Sequence, residues 1–190
     1  MAHARAYDQL PYDDRPVAET HPDRLWVVAR ANGLVLPEPS RLRVLELGCA
    51  NAVNLIPMAF HLPEAQFLGV DIAPSQVSRA NARVAELGLQ NLTVVCADVM
   101  EFEPGEDTYD LIIAHGLFSW IPDAARDRVL ALCRRALAPH GIAYISYNAM
   151  PAWGIRQAIG RALQEMARGA SSDEERLARV RSGLARLAKV

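Results

Sequence analysis

The sequence predicts an α/β fold built on a doubly wound, mostly parallel sheet. From Arg43 onward, apolar runs of strand length alternate with longer stretches of helical period. Prolines and glycines stand at the ends of these stretches, where helices begin and end. The chain has 190 residues, of which 51% are hydrophobic, enough to build a packed core. Strands joined by helical crossovers form a parallel sheet that helices cover on both faces.

The first half of the alternation predicts three strands and two helices. The helix after the first strand tolerates Pro57 only near its first turn. The next helix opens at Pro74 and ends before Gly88, a residue typical of helix C-termini. The predicted strands are 43–47, 66–72 and 92–96, and the predicted helices are about 53–62 and 74–87.

The second half predicts two more strands, and after Pro151 only helices. Pro139 and Gly141 separate a helix from the fifth strand. The last helix carries an apolar stripe, which indicates packing on the rest of a longer polypeptide or docking on a partner. The predicted strands are 110–115 and 142–147, and the predicted helices are about 122–138, 153–167 and 174–189.

Ahead of this core, residues 20–32 are predicted to form a helix, with Thr20 and Asp23 at capping-box spacing. The segment before it contains Tyr7 and Tyr12 and can either fold over a ligand as a lid or cover a sheet edge. We therefore expect an N-terminal lid or helical segment (1–40), a central core (41–150) and a helical extension (151–190).

Composition excludes several classes of protein. With 20 Lys and Arg against 22 Asp and Glu, the net charge of −2 provides no positive field to recruit nucleic acid or an anionic membrane. The apolar runs are far shorter than the roughly 20 residues of a membrane-spanning helix. The N-terminus has no secretory h-region, so we expect a cytoplasmic protein. Cys49, Cys96 and Cys133 predict buried reduced thiols and no metal site.

Residues 46–54 join the first strand to its helix, where a parallel sheet presents backbone amides to a ligand. Asp71 ends the next strand, where a carboxylate can bind a ribose diol. A dinucleotide site of the form G-x-G-x-x-G would need glycine where this chain has Ala50 and Val53, so it is disfavoured.

S-adenosylmethionine fits this pattern better, because it has no pyrophosphate to be cradled. It needs an acid at the strand end, a small-residue turn, an acid for the ribose and a polar group for the adenine. Glu46, Gly48, Asp71 and Asp98 supply these four in order. Ile72 and Val99 are placed to sandwich the adenine ring beside Asp98.

With these residues the sequence resembles the class I S-adenosylmethionine-dependent methyltransferases. More narrowly, it resembles a bacterial group that carries a downstream regulatory domain and includes protein-lysine methyltransferases. The matching stretches are Tyr7-Asp8, Pro11-Tyr12, 20–25, 44–49, 54–59, 69–71, Gln76, Asp98, 112–116, 119–122, 143–148 and 151–153.

The resemblance implies a Rossmann-like fold, S-adenosyl-L-methionine as cofactor and S-adenosyl-L-homocysteine as product. It implies methyl transfer by in-line displacement to a nucleophile, most simply a protein side chain such as lysine. A small-molecule acceptor and a catalytically weak cofactor-binding or regulatory module stay open. The implied cofactor-binding residues are Glu46, Gly48, Cys49, Ala50, Asn54, Asp71, Ile72, Gln76, Asp98, Val99 and His115.

Two features depart from the family pattern. The family turn usually has glycine where this chain has Ala50 and Ala52, and a positive φ at position 50 would cost alanine about 1 kcal/mol. The family fold also adds an antiparallel strand pair after the fifth strand. No strand pattern follows Pro151, so we expect a piece of a longer protein with an exposed sheet edge that favours a homodimer.

The acceptor site is expected at the ends of the fourth and fifth strands. His115 and Tyr147 are the catalytic candidates, and hydrogen bonding to neighbouring loops is the alternative role of each. The sequence Ala114-His115-Gly116-Leu117 lacks the Asn/Asp-Pro-Pro-aromatic motif of nucleobase methyltransferases, so a nucleic-acid substrate is disfavoured. Candidate substrate-binding residues are Tyr12, Phe118, Trp120 and Asn148, with Trp153 as a further aromatic.

Overall fold

The structure, a computed structural model, describes residues 15–106 and 108–187. These fall into two compact units that divide between Tyr147 and Asn148. The first unit contains a five-stranded sheet in the order β3-β2-β1-β4-β5, in which every pair of neighbours is parallel. The strands are β1 (Arg43–Leu47), β2 (Gln66–Asp71), β3 (Leu92–Cys96), β4 (Tyr109–Ala114) and β5 (Leu137–Ile145).

Helices connect β1 to β2, β2 to β3 and β4 to β5, and no helix of the described residues lies between β3 and β4. The first unit also has two short 3-10 helices, Ala18–Thr20 and Pro39–Arg41. The second unit consists of a helix pair, and no helix among the described residues is long and apolar enough to cross a membrane. The helices are α1 (Pro22–Ala31), α2 (Leu55–His61), α3 (Pro74–Glu86), α4 (Asp123–Ala136), α5 (Ala152–Met166) and α6 (Asp173–Leu187).

Two hydrophobic clusters cover the two faces of the sheet, so the predicted doubly wound α/β class is confirmed. Successive side chains of a strand point to opposite faces, and β1 follows this rule: Val44 belongs to one cluster, whereas Leu45 and Leu47 belong to the other. The first cluster includes apolar residues of α1, α2 and α3, and the second includes those of α4. The central strand β1 is thereby buried on both faces.

Three local expectations were wrong. Thr20 does not begin α1: the helix starts at Pro22, and the ring of His21 caps it by accepting the N–H of Asp23 at 3.3 Å. The predicted fifth strand began at Ile142, whereas β5 begins at Leu137. Cys96 is exposed because β3 is an edge strand, although Cys49 and Cys133 are buried free thiols as expected.

Because β5 begins early, the expected Pro139–Gly141 turn lies inside the strand, where it forms an irregularity. Tyr109 pairs with Leu137, but Leu111 pairs with Ile142, so the intervening residues of β5 loop out. A Cβ at Gly141 would lie 2.9 Å from two backbone oxygens, which explains glycine at this position. A period-2 pattern cannot show such a bulge, because the looped residues break the alternation.

The turn from β1 to α2 contains three residues with positive φ: Gly48 at 76°, Ala50 at 48° and Ala52 at 57°. Only the first is a glycine. Left-handed φ brings the alanine Cβ close to the following carbonyl oxygen and is unfavourable. Hydrogen bonds hold the turn in this shape, since Ala50 donates its N–H to Asp71 Oδ2 and Ala52 donates to the carbonyl of Cys49, both at 2.8 Å.

We predict that Ala50→Gly stabilises the protein by about 1 kcal/mol, because glycine adopts positive φ without the Cβ penalty. Ala52→Gly relieves the same strain but removes a fully buried methyl group, worth about 0.8 kcal/mol, so its net effect is close to zero. Urea unfolding measures the change in the free energy of unfolding. Ala82→Gly is the matched control: Ala82 is an exposed residue inside α3, where the same substitution costs about 1 kcal/mol. Destabilisation by all three variants alike would refute the proposed backbone strain.

Candidate active site

The candidate site lies at the carboxyl edge of β1, β2 and β4. The registers pair Leu47 with Val70 and Glu46 with Ile113. Extending these registers past the strand ends places Gly48 beside Asp71 on one side and beside His115 on the other. From β1 the chain first adds β2 and β3 on one side and then β4 and β5 on the other, so the strand order reverses beside β1. Parallel sheets bind ligands in the crevice at such a reversal.

Glu46 is a buried carboxylic acid on the central strand, with 4% of its surface exposed. Its Oε1 accepts a hydrogen bond from Asn54 Nδ2 at 2.9 Å, while Oε2 is buried and has no partner among the described residues. Burial raises the pKa of Glu46, the hydrogen bond from Asn54 lowers it and the nearby Asp71 raises it, with a net pKa of about 7. An unsatisfied buried acceptor at this edge fits a cationic group of a ligand.

Asp71, at the end of β2, connects two turns. Its Oδ2 accepts the N–H of Ala50 at 2.8 Å, and its Oδ1 accepts the N–H of Ala73 at 2.9 Å. A carboxylate oxygen can accept more than one hydrogen bond, so the Asp71 carboxylate that accepts these two backbone N–H groups can also accept hydrogen bonds from the hydroxyls of a diol. The carboxylate therefore shapes the turn at the place where the sequence predicts a ribose contact.

Asn54 was expected to bind the cofactor, and the structure gives its side chain other partners. Besides Glu46, Nδ2 donates to Thr20 Oγ1 at 2.9 Å, and Oδ1 accepts the N–H of Val17 at 2.9 Å. The sequence analysis placed Thr20 at a helix start and missed its place at the site, where it is fully buried and bonded to Asn54. No sequence pattern identifies this pair, because the two residues lie on separate elements and meet only in the fold.

The predicted adenine contacts lie beyond the ends of β2 and β3. Asp98 is half-buried and its Oδ1 accepts the N–H of Met100 at 2.9 Å, which forms a tight turn. Ile72 is half-buried, and Val99 packs against the second hydrophobic cluster. Gln76 is buried in the first turn of α3.

Cys49 follows Gly48 and is buried against β2. A Cβ at Gly69 would lie 2.7 Å from the Cys49 sulfur, so glycine in the middle of β2 makes room for this side chain. Burial raises the pKa of the Cys49 thiol well above its usual range, and Glu46 and Asp71 raise it further. The thiol stays protonated and unreactive, so Cys49 contributes shape to the turn.

His115 follows β4 directly and is half-buried. Its ring stacks on Tyr144 with a centroid distance of 6.1 Å, and its Nδ1 is buried without a hydrogen-bond partner in the described part of the chain. Burial lowers the pKa of His115, and the carboxylate of Glu19 opposes this shift. The imidazole is therefore neutral at pH 7, with one nitrogen able to accept a proton.

The other predicted acceptor residues differ in their burial and in their place along the chain. Tyr147 lies beyond the end of β5 with 68% of its surface exposed, and Trp120 is 51% exposed. Phe118 packs on the second hydrophobic cluster and under the guanidinium of Arg126. Asn148 begins the second unit, and Tyr12 lies outside the described residues.

Comparison with known proteins identifies the family. The profile of the methyltransferase domain family matches residues 44–141. An uncharacterized protein of Rickettsia prowazekii is 40% identical over 159 residues, which are 84% of this chain and 29% of that protein. A malonyl-[acyl-carrier protein] O-methyltransferase of Acetivibrio thermocellus is 32% identical over 90 residues, 47% of this chain and 30% of that enzyme.

Among solved structures, PKMT2 from Rickettsia typhi in complex with AdoHcy is similar with a TM-score of 0.84 and 26% sequence identity. The similarity covers 94% of this chain and 34% of that chain. This chain thus spans about a third of the length of these relatives. Because the family match covers more than half of the sequence and includes the carboxyl edge described above, the chain belongs to the methyltransferase domain family, with the fold and cofactor of a class I S-adenosylmethionine-dependent methyltransferase.

Proposed function

We propose that this domain binds S-adenosylmethionine across the carboxyl edge of β1, β2 and β4 and transfers its methyl group to a protein side chain, most simply a lysine. One observation carries the proposal. Two buried polar atoms on neighbouring strands, Glu46 Oε2 and His115 Nδ1, have no partner among the described residues, and both lie at the edge where the strained turn is. Such atoms need a ligand or water to satisfy them.

The residues at this edge suit the separate parts of the cofactor. Glu46 Oε2 is the acceptor for the α-ammonium group, and the backbone of the turn at Gly48, Cys49 and Ala50 lies beneath the methionine portion. Asp71 binds the ribose diol. For the adenine we assign Asp98 with Ile72 and Val99, and Gln76 at the first turn of α3 faces the same end of the sheet.

S-adenosylmethionine, when bound, supplies a methyl carbon attached to a good sulfonium leaving group. The protein therefore has to align the nucleophile and exclude water. A lysine with a pKa near 10.4 arrives charged and must lose a proton before it can attack. The neutral imidazole of His115 provides a nitrogen that can accept this proton.

The choice of a protein acceptor rests on the resemblance to the group with a downstream regulatory domain and on the similarity to PKMT2 over 94% of this chain. The similarity to the malonyl-[acyl-carrier protein] O-methyltransferase covers only 47% of it. Tyr147, Trp120 and Phe118 remain proposed as the walls of the acceptor site, and the substrate-binding role of Asn148 stays a prediction. The sheet ends at β3 and β5, and homodimer formation through such an edge remains a proposal too.

We predict that calorimetric titration shows saturable binding of S-adenosylmethionine and S-adenosylhomocysteine, and that Asp71→Ala abolishes it. The substitution removes the ribose contact and the acceptor that shapes the turn. Asp110→Ala is the matched control, because Asp110 Oδ2 also accepts a backbone N–H, that of Arg43 at 2.8 Å, at the opposite end of the sheet. Binding by a folded Asp71→Ala protein with unchanged affinity would overturn the assignment of the site.

The protonation of Glu46 predicts a pH-dependent stability. Its pKa is raised from 4.5 to about 7 in the folded protein, so the native state holds a proton that the unfolded chain has lost. This contribution is fully present below about pH 4.5 and is lost as the pH rises through about 7, with an upper magnitude of about 3 kcal/mol. The lowered pKa of His115 acts in the opposite direction in part of this range.

Urea unfolding of the wild type and Glu46→Gln at about pH 5.5 and pH 8 isolates the Glu46 contribution, because both proteins share His115. We expect the wild type to lose stability relative to Glu46→Gln at the higher pH. Parallel pH profiles of the two proteins would show that Glu46 is ionised in the folded state at pH 5.5.

Transfer of labelled methyl groups to lysine-containing peptides, and to the same peptides with acetylated lysines, tests the acceptor. We expect transfer only to the unmodified peptides, with kcat about 100-fold lower for His115→Ala. Transfer to small amines or carboxylic acids without transfer to peptides would instead establish a small-molecule methyltransferase. Cofactor binding without transfer to any acceptor would indicate the catalytically weak regulatory module.

A further inference from the structure

The side chain of Asn54 links residues 17–20 to the candidate site. Asn54 Oδ1 accepts the N–H of Val17 at 2.9 Å, and Nδ2 donates to Thr20 Oγ1 at 2.9 Å. The Thr20 hydroxyl in turn donates to the carbonyl of Val17 at 2.8 Å. Thr20 and Asn54 are buried, so the hydrogen bond between their side chains forms without competition from water, whereas the two bonds to Val17 are partly buried.

The same amide holds Glu46. The second donor of Asn54 Nδ2 bonds to Glu46 Oε1 at 2.9 Å, so one amide group joins the central strand to the N-terminal segment. Asn54 precedes α2 at the N-cap position, where asparagine is a favourable cap, yet its side chain makes no cap hydrogen bond. The Asn54 amide instead forms hydrogen bonds with Thr20 and Glu46.

An electrostatic interaction also relates the 3-10 helix that Thr20 ends to the residue after β4. Glu19, one residue before Thr20, acts electrostatically on His115, which follows β4. Thr20 is attached beside β1 through Asn54, and Glu19 is within electrostatic reach of the end of β4. The segment thus lies along the edge where we assign the cofactor and the acceptor.

We propose that Thr20 is a positioning residue for the cofactor: by orienting Asn54 it fixes Glu46 Oε1, so that Oε2 remains available for the α-ammonium group, and cofactor binding in turn tightens residues 17–20. The inference rests on the assignment of Glu46 to the cofactor under the proposed function. Its reciprocal form is required by linkage, since any effect of the segment on cofactor affinity equals the effect of the cofactor on the segment.

The experiment compares Thr20→Val, which keeps the shape and removes the hydroxyl, with Thr20→Ser, which keeps the hydroxyl. Calorimetric titration with S-adenosylhomocysteine measures the Kd, and hydrogen exchange follows the Val17 amide with and without this ligand. We expect Thr20→Val to weaken binding roughly tenfold and Thr20→Ser to bind like the wild type. In the wild type, the ligand should slow exchange of the Val17 amide.

Two controls separate positioning from a general loss of stability. Asn91→Ala removes a buried amide that bonds the carbonyls of Ala59, Leu62 and Ala65 away from this edge, and it should lower stability without changing the Kd. In a Glu46→Gln background, Thr20→Val should have little further effect on the Kd, because the two residues act through one path.

The outcomes are distinct. Absence of ligand binding by the wild type would refute the proposed cofactor site and this inference with it. Tight binding by the wild type with an equal Kd for folded Thr20→Val, or an undiminished effect of Thr20→Val in the Glu46→Gln background, would overturn the inference alone and leave the cofactor site in place.

Discussion

The burial of one carboxylic acid, Glu46, on the central strand constrains the whole carboxyl edge. A buried carboxylate needs hydrogen bonds to replace water, and Asn54 provides one of them. That demand fixes the asparagine side chain, which then binds Val17 and Thr20 and draws the N-terminal segment onto the sheet. The remaining oxygen of Glu46 has no partner in the described residues, which makes the acid a ready acceptor for a cation.

The turn between β1 and α2 adds backbone strain at the same edge of the sheet. Two alanines have left-handed backbone conformations there, although glycine would adopt them without strain. Asp71 accepts the Ala50 N–H and so helps to hold this shape. Strain and unsatisfied polar atoms are both unfavourable for folding, and their concentration at one edge is typical of a site that has been shaped for a ligand.

The packing around the turn shows how tightly its shape is defined. Gly69 on β2 leaves space for the Cys49 side chain, and a Cβ at Gly48 would lie 3.1 Å from Leu117. Leu117 follows β4, so the turn after β1 is enclosed by residues from both neighbouring strands. A larger residue at either glycine would move the backbone of this turn.

The sequence by itself determined the five strands, the crossover helices and the acids at the strand ends, because hydrophobic periodicity and strand-terminal position are local properties. It also located the two alanines of the turn. The tertiary structure alone decided that Thr20 bonds to Asn54 instead of capping α1, that one oxygen of Glu46 has no partner among the described residues, and that the Pro139–Gly141 turn lies inside β5. These features depend on contacts between residues far apart in the chain, and burial and hydrogen-bond partners exist only once the chain has packed.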